Sequence, residues 1–136
     1  FKTIPDIVTV CRMSYDEIEN IYNFTVYNEY GSIKFLGVTN LCKLNIDEII
    51  DIKENYIEVY HKRLSQNKDL PEIGTELNKN AEITLFNISY NEDIEMLEEF
   101  IKKLKNKILS MNGKFIKYDV NKKHCIFTFD NFNFKK

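Results

Sequence analysis

Between Asp93 and Ser110 the apolar residues Ile94, Leu97, Ile101, Leu104 and Ile108 recur every three or four positions, the spacing that lines one face of an α-helix. Glu92, Asp93, Glu95, Glu98 and Glu99 crowd the first half of this stretch and Lys102, Lys103, Lys105 and Lys107 the second, an order that complements the helix dipole. Asn112-Gly113 supplies the stop. This is the clearest helix in the chain. Elsewhere the apolar residues come in short runs rich in β-branched and aromatic types, broken by Gly, Asn, Asp and Pro, so predicted strands outnumber helices and the class is α+β.

The runs can be placed one by one. Ser14-Tyr15-Asp16-Glu17 is a capping box that opens a short helix through about Asn20, with Ile18 and Ile21 turned toward the core. Phe24 to Tyr27, a turn at Asn28-Glu29-Tyr30-Gly31 and Ser32 to Leu36 form a predicted hairpin. Val38 to Leu44 reads as strand, Asn45 to Ile50 as either one helical turn capped by Asn45 or an extended segment, and Tyr56 to Tyr60 as strand. The polar stretch from His61 to Lys79, with Pro71 and Gly74, is a predicted long surface loop. Ala81 to Phe86 returns to strand, and Lys114 to Tyr118, a turn over Asp119 to Lys123, and Cys125 to Phe129 make a closing hairpin.

Composition narrows the function classes. With 136 residues, 43% of them hydrophobic, the chain suits one domain with an ordinary core. Nineteen Lys and Arg face 21 Asp and Glu, a net charge of -2, so there is no basic excess for phosphate backbones and nucleic acid is not the expected partner. Cys11, Cys42 and Cys125 lie far apart, without a CxxC pair and with only His61 and His124 as co-ligands; they are expected to be reduced thiols, and no metal or other cofactor is expected. No apolar run approaches the roughly 20 residues of a membrane span, and no signal peptide opens the chain. With Phe1 and not Met in first place, the chain is expected to be a piece of a longer protein.

Three blocks carry a family resemblance. The first is Phe24-Thr25-Val26 with Tyr30-Gly31-Ser32-Ile33-Lys34-Phe35-Leu36-Gly37, running on into Asn40-Leu41 and Leu44 to Ile50; the second is Pro71 to Leu85, which matches the pattern PxxGxxLNxxAxxTL at every fixed position; the third is Phe115-Ile116-Lys117-Tyr118-Asp119 with the strand from Cys125 to Phe129 behind it. Without the flanking blocks, the second is only a turn-rich loop entering a strand. In this order and spacing, over Thr9 to Phe132, the chain resembles the nucleoporin autopeptidase family, the C-terminal pore-docking domain of the ninety-eight-type FG nucleoporins.

The resemblance implies a half-open antiparallel β-barrel or sandwich of about six main strands flanked by two helices, spanning residues 1–136 as the C-terminal piece of a longer FG nucleoporin. It implies a nuclear pore location and a docking role toward other nucleoporins: a β-propeller of the cytoplasmic face and the N-terminal segment of a scaffold nucleoporin. Many members cleave themselves after the Phe of a His-Phe-Ser tripeptide, where the Ser hydroxyl attacks the preceding carbonyl and the His accepts its proton. Counted from Tyr118-Asp119 through Phe127-Thr128-Phe129, that tripeptide falls here on Asn131-Phe132-Asn133. A carboxamide is neither a base nor an alkoxide source, so the chain is expected to be a degenerate, non-cleaving member. His124, in or beside the last turn, is not expected to substitute.

The partner-binding candidates are Asn131, Phe132 and Phe134 beside the lost cleavage point, with Phe127 and Phe129 assigned to the core, and Lys62, Arg63 and Lys68 on the long loop as a second contact. Two rival readings stand: an active serine autopeptidase using Ser89 or Ser110, neither of which has a His beside it in sequence, and a single-stranded RNA-binding module built on strand aromatics near lysines.

Overall fold

The computed structural model describes residues 1–133. In chain order it has β1 (Lys2–Ile4), α1 (Ile7–Cys11), α2 (Tyr15–Ile18), β2 (Ile21–Tyr22), β3 (Thr25–Tyr27), β4 (Gly31–Phe35), β5 (Val38–Thr39), α3 (Ile46–Ile49), β6 (Ile50–Lys53), β7 (Tyr56–Val59), α4 (His61–Ser65), β8 (Ala81–Leu85), α5 (Leu97–Ser110), β9 (Lys114–Asp119) and β10 (His124–Phe129). Six strands form one antiparallel sheet in the order β1-β3-β4-β8-β10-β9, and β2–β5 and β6–β7 form two small sheets. The large sheet ends in two free edges, β1 and β9, and so does not close: the half-open α+β architecture is the one expected. Instead of two helices, five are present among the described residues; four of them are four or five residues long, and α5 has 14.

Alternation along the strands divides the sheet into two faces. Val26, Ile33, Phe35, Ala81, Ile83, Cys125, Phe127 and Phe129 are buried on one, while their neighbours Thr25, Ser32, Lys34, Glu82, Thr84 and Thr128 are half-buried on the other. Against the apolar face pack Ile50, Ile52 and Val59 from β6–β7 and Ile108 from α5, with Leu97, Phe100, Ile101 and Leu104 partly buried behind it, all in a single core cluster. At about 25 cal/mol per Å² of apolar surface removed from water, a fully buried Phe or Ile contributes roughly 1.5–3 kcal/mol, so this one cluster supplies the main drive for folding.

Local chemistry explains the predicted hairpins. The Oδ1 of Asn28 accepts from Tyr30 N at 2.8 Å and Gly31 N at 3.3 Å, closing the turn between β3 and β4. A Cβ on Gly31 would lie 2.7 Å from the Thr84 carbonyl oxygen, so only glycine lets β4 approach β8 here. Ser14 caps α2 with the reciprocal Glu17 bond of a capping box.

Four expectations are corrected. The long helix begins at Leu97, not Asp93: Asn91 accepts from Asp93 N through its side chain and from Ile94 and Glu95 N through its carbonyl, a turn that stops short of Met96, whose backbone is extended. Ile94 is therefore 80% exposed and outside the stripe. The strand after Gly37 is only Val38–Thr39, because the Asn40 side chain turns the chain by accepting from Cys42 N at 2.9 Å and Lys43 adopts a left-handed φ of 61°. The ambiguous segment after Asn45 is both things in succession, a helical turn and then β6, and Asn45 makes no side-chain cap bond. The stretch from His61 to Lys79 is not a plain surface loop: it opens with α4 and ends in Leu77 and Asn78, both 0% exposed. The strand β1 and the helix α1 at the N-terminus were not foreseen.

Candidate functional site

Pro71 to Asn78 makes a compact turn held by its own backbone, with Gly74 N donating to Asn78 O at 2.7 Å and Asn78 N to Thr75 O at 3.0 Å. Gly74 has φ +94°, a conformation open to glycine and strained for other residues. Leu77 N donates to the hydroxyl of Tyr60 at 3.1 Å, and burial pushes the Tyr60 phenol up to about 12. The turn is thereby pinned to the end of β7, and Leu77 and Asn78 are carried inward.

There the Asn78 carboxamide meets the C-terminal exit of β10. Its Nδ2 donates to Pro71 O at 2.7 Å and to Asn133 Oδ1 at 2.9 Å, and its Oδ1 accepts from Phe132 N at 2.8 Å. The opposite amide orientation would set two N–H groups against each other at Phe132, so donor and acceptor are assigned by the network. Asn131 Oδ1 accepts from Asn133 N at 3.0 Å, turning the chain at this point. The Phe132 ring is 2% exposed and lies 5.9 Å from Phe129 and 6.3 Å from Phe35. The Phe132–Asn133 link is thus held on one side by a ring in the core and on the other by a buried amide.

The arrangement holds the C-terminal exit of β10 in place. Asn131 and Asn133 present carboxamides, and among the described residues no hydroxyl or thiol is hydrogen-bonded to an imidazole. His124 is the first residue of β10 rather than part of the turn, and its ring stacks on Phe86 with centroids 4.6 Å apart; His61 lies 3.5 Å from the Glu58 carboxylate. The Ser110 hydroxyl donates to the Lys107 carbonyl. Burial raises the Cys125 thiol to about 11, which keeps it protonated and inert near neutral pH. Among the described residues no helix is long and apolar enough to cross a membrane.

The predicted binding residues fall into separate places. Phe132 is 2% exposed, because the chain turns inward at Asn131 instead of running off the sheet. It contributes to the floor of a cleft of about 760 Å³ between the β6–β7 sheet, the apolar sheet face and α5, lined also by Tyr56, Leu85, Leu104 and Met111. Phe134 lies outside the described residues. Lys62, Arg63 and Lys68 come together with Lys43 around a second, smaller groove of about 350 Å³ beside α3 and α4. Asn78 was missed as a site residue; the available signal was a polar residue at a fixed motif position next to the buried Leu77.

The family model described as Nucleoporin2, Nup98-96 autopeptidase S59, matches residues 1–134. This chain belongs to the nucleoporin autopeptidase family. It is similar to the nuclear pore complex protein Nup98-Nup96 of Dictyostelium discoideum, 29% identical over 98% of the chain but only 7% of that protein's length. Among solved structures, a mutant Nup145N APD from Chaetomium thermophilum fused to Nup145C N superposes with a TM-score of 0.83, 23% identity and coverage of 97% of this chain and 94% of that one. A chain of the yeast heterotrimeric Nup82-Nup159-Nup116 nucleoporin complex superposes with a TM-score of 0.77 at 21% identity, covering 96% and 94%.

Proposed function

We propose that this nucleoporin autopeptidase domain, residues 1–136, is the pore-docking piece of a longer FG nucleoporin, located at the nuclear pore complex, and that it has lost self-cleavage and keeps only recognition. The observation that supports the reading is the Asn78 clamp across Phe132–Asn133, a buried amide bonded to both residues, at the turn where the residue count sets Asn131 and Asn133 in the places of the family's base and nucleophile. Docking in transport of protein and mRNA is supported by the nuclear pore relative and by neighbours solved as nucleoporin assemblies. The open apolar cleft beside α5 suits the side chains of a β-propeller nucleoporin or of the N-terminal segment of a scaffold nucleoporin.

The mass of the purified protein, expressed with sequence reaching well past Lys136, tests the loss of cleavage. One uncut species is expected, and a product ending at Phe132 overturns the reading. The double variant Asn131→His/Asn133→Ser is expected to accumulate that product, since it returns an imidazole and a hydroxyl to a bond already held by Asn78. Failure of the folded double variant to cleave would remove the identification of this turn as a former cut site.

A further inference from the structure

The groove beside α3 and α4 is lined mainly by charged residues. Lys43, Lys62, Arg63 and Lys68 line it against two carboxylates, Glu48 and Glu76, in a chain whose net charge is -2. None of the four cations is in an ion pair among the described residues. Arg63 lies over the Tyr60 ring at 5.5 Å. The apolar part of the lining is Leu44 and Ile49 with Tyr60, and Leu44 and Ile49 are partly buried against the core. Three residues of the lining hold left-handed backbone conformations that non-glycine residues rarely adopt: Lys43 at φ 61°, Tyr60 at 60° and Glu76 at 48°.

We propose that this groove is a second docking site, separate from the apolar cleft, for an acidic extended segment of a protein partner that inserts one aliphatic side chain between its carboxylates. The proposal rests on the docking role of the domain and names the chemistry of one of its contacts. Four unpaired cations match a run of Asp and Glu, and Leu44 and Ile49 form a floor for one aliphatic group. A protein segment fits better than RNA: the one ring in the groove, Tyr60, is 2% exposed and covered by Arg63, so no aromatic face is free to stack a base, and Glu48 and Glu76 oppose a phosphate backbone.

Fluorescence anisotropy with a labelled short peptide of alternating Glu and Ser around a single Leu tests this on the unaltered domain, with the same peptide carrying Lys for Glu and an oligouridylate as comparison probes. The acidic peptide is expected to bind, with affinity falling as salt rises. The reversal Lys62→Glu/Arg63→Glu/Lys68→Glu is expected to weaken it about tenfold or more, and the matched reversal Lys102→Glu/Lys122→Glu/Lys123→Glu by less than about twofold. Amide chemical-shift changes in the unmutated protein are expected to centre on Lys43, Tyr60 and Arg63, which keeps the test open if the reversal does not fold. Equal loss in both reversals, tighter binding of the oligouridylate, or no binding of the acidic peptide each overturns the proposal. The loss of self-cleavage fails separately, through the mass of the purified protein and of the Asn131→His/Asn133→Ser variant.

Discussion

Two side chains, Asn78 and Tyr60, connect the signature turn to the body of the domain. Replacing Asn78 with Ala removes the acceptor of the buried Phe132 N–H and the donor to the half-buried Pro71 carbonyl, and loss of a buried hydrogen-bond partner costs about 1–3 kcal/mol; chemical denaturation of Asn78→Ala is expected to show a loss of about 1–3 kcal/mol. Tyr60→Phe leaves one orphan, Leu77 N, and is expected to cost about 1–2 kcal/mol. It also alters the alkaline limb. The folded Tyr60 phenol is raised from 10.0 to about 12 by burial, so its contribution is fully present below pH 10.0 and is lost as pH rises through about 12. The slope of stability against pH in that window is expected to be shallower in Tyr60→Phe than in the parent, and an unchanged slope would contradict the burial of the hydroxyl.

At the scale of elements, the boundary of α5 is the sharpest disagreement between sequence pattern and structure. Ile94 fits the apolar period of α5 but sits in the Asn91 turn at 80% exposure, whereas Leu104 packs against the core. Ile94→Ser is expected to change stability by less than about 0.5 kcal/mol and Leu104→Ala to lower it by about 2–3 kcal/mol; comparable losses for both in thermal or urea unfolding would restore the longer helix. The segment after Tyr60 shows the opposite error. Its polar composition reads as loop, yet α4 forms, because a five-residue helix is positioned by its anchors at Tyr60 and Leu64 and shows no periodicity of its own.

For the whole molecule, the C-terminal turn at Asn131–Asn133 completes the core. Phe132 belongs to the same buried cluster as Phe35 and Phe129, and its N–H completes the Asn78 network, so a chain ended after Asp130 is expected to lose about 4 kcal/mol or more and to unfold well below the parent temperature. Scanning calorimetry of the two chains would measure this, and equal transition temperatures would show that the C-terminal turn is not part of the cooperative unit. The strands of the large sheet other than β1, the capping box at Ser14, the hairpin turn at Asn28 and the carboxamides at Asn131 and Asn133 were legible from residues alone, because alternation, turn chemistry and functional-group identity are properties of neighbours in the chain. The inward turn that makes Phe132 core, the clamp of Asn78 on a strand end 54 residues away, and the convergence of Lys43 with Lys62, Arg63 and Lys68 around one groove were not. They depend on which distant segments are brought together when one apolar face is buried, and linear spacing does not encode that proximity.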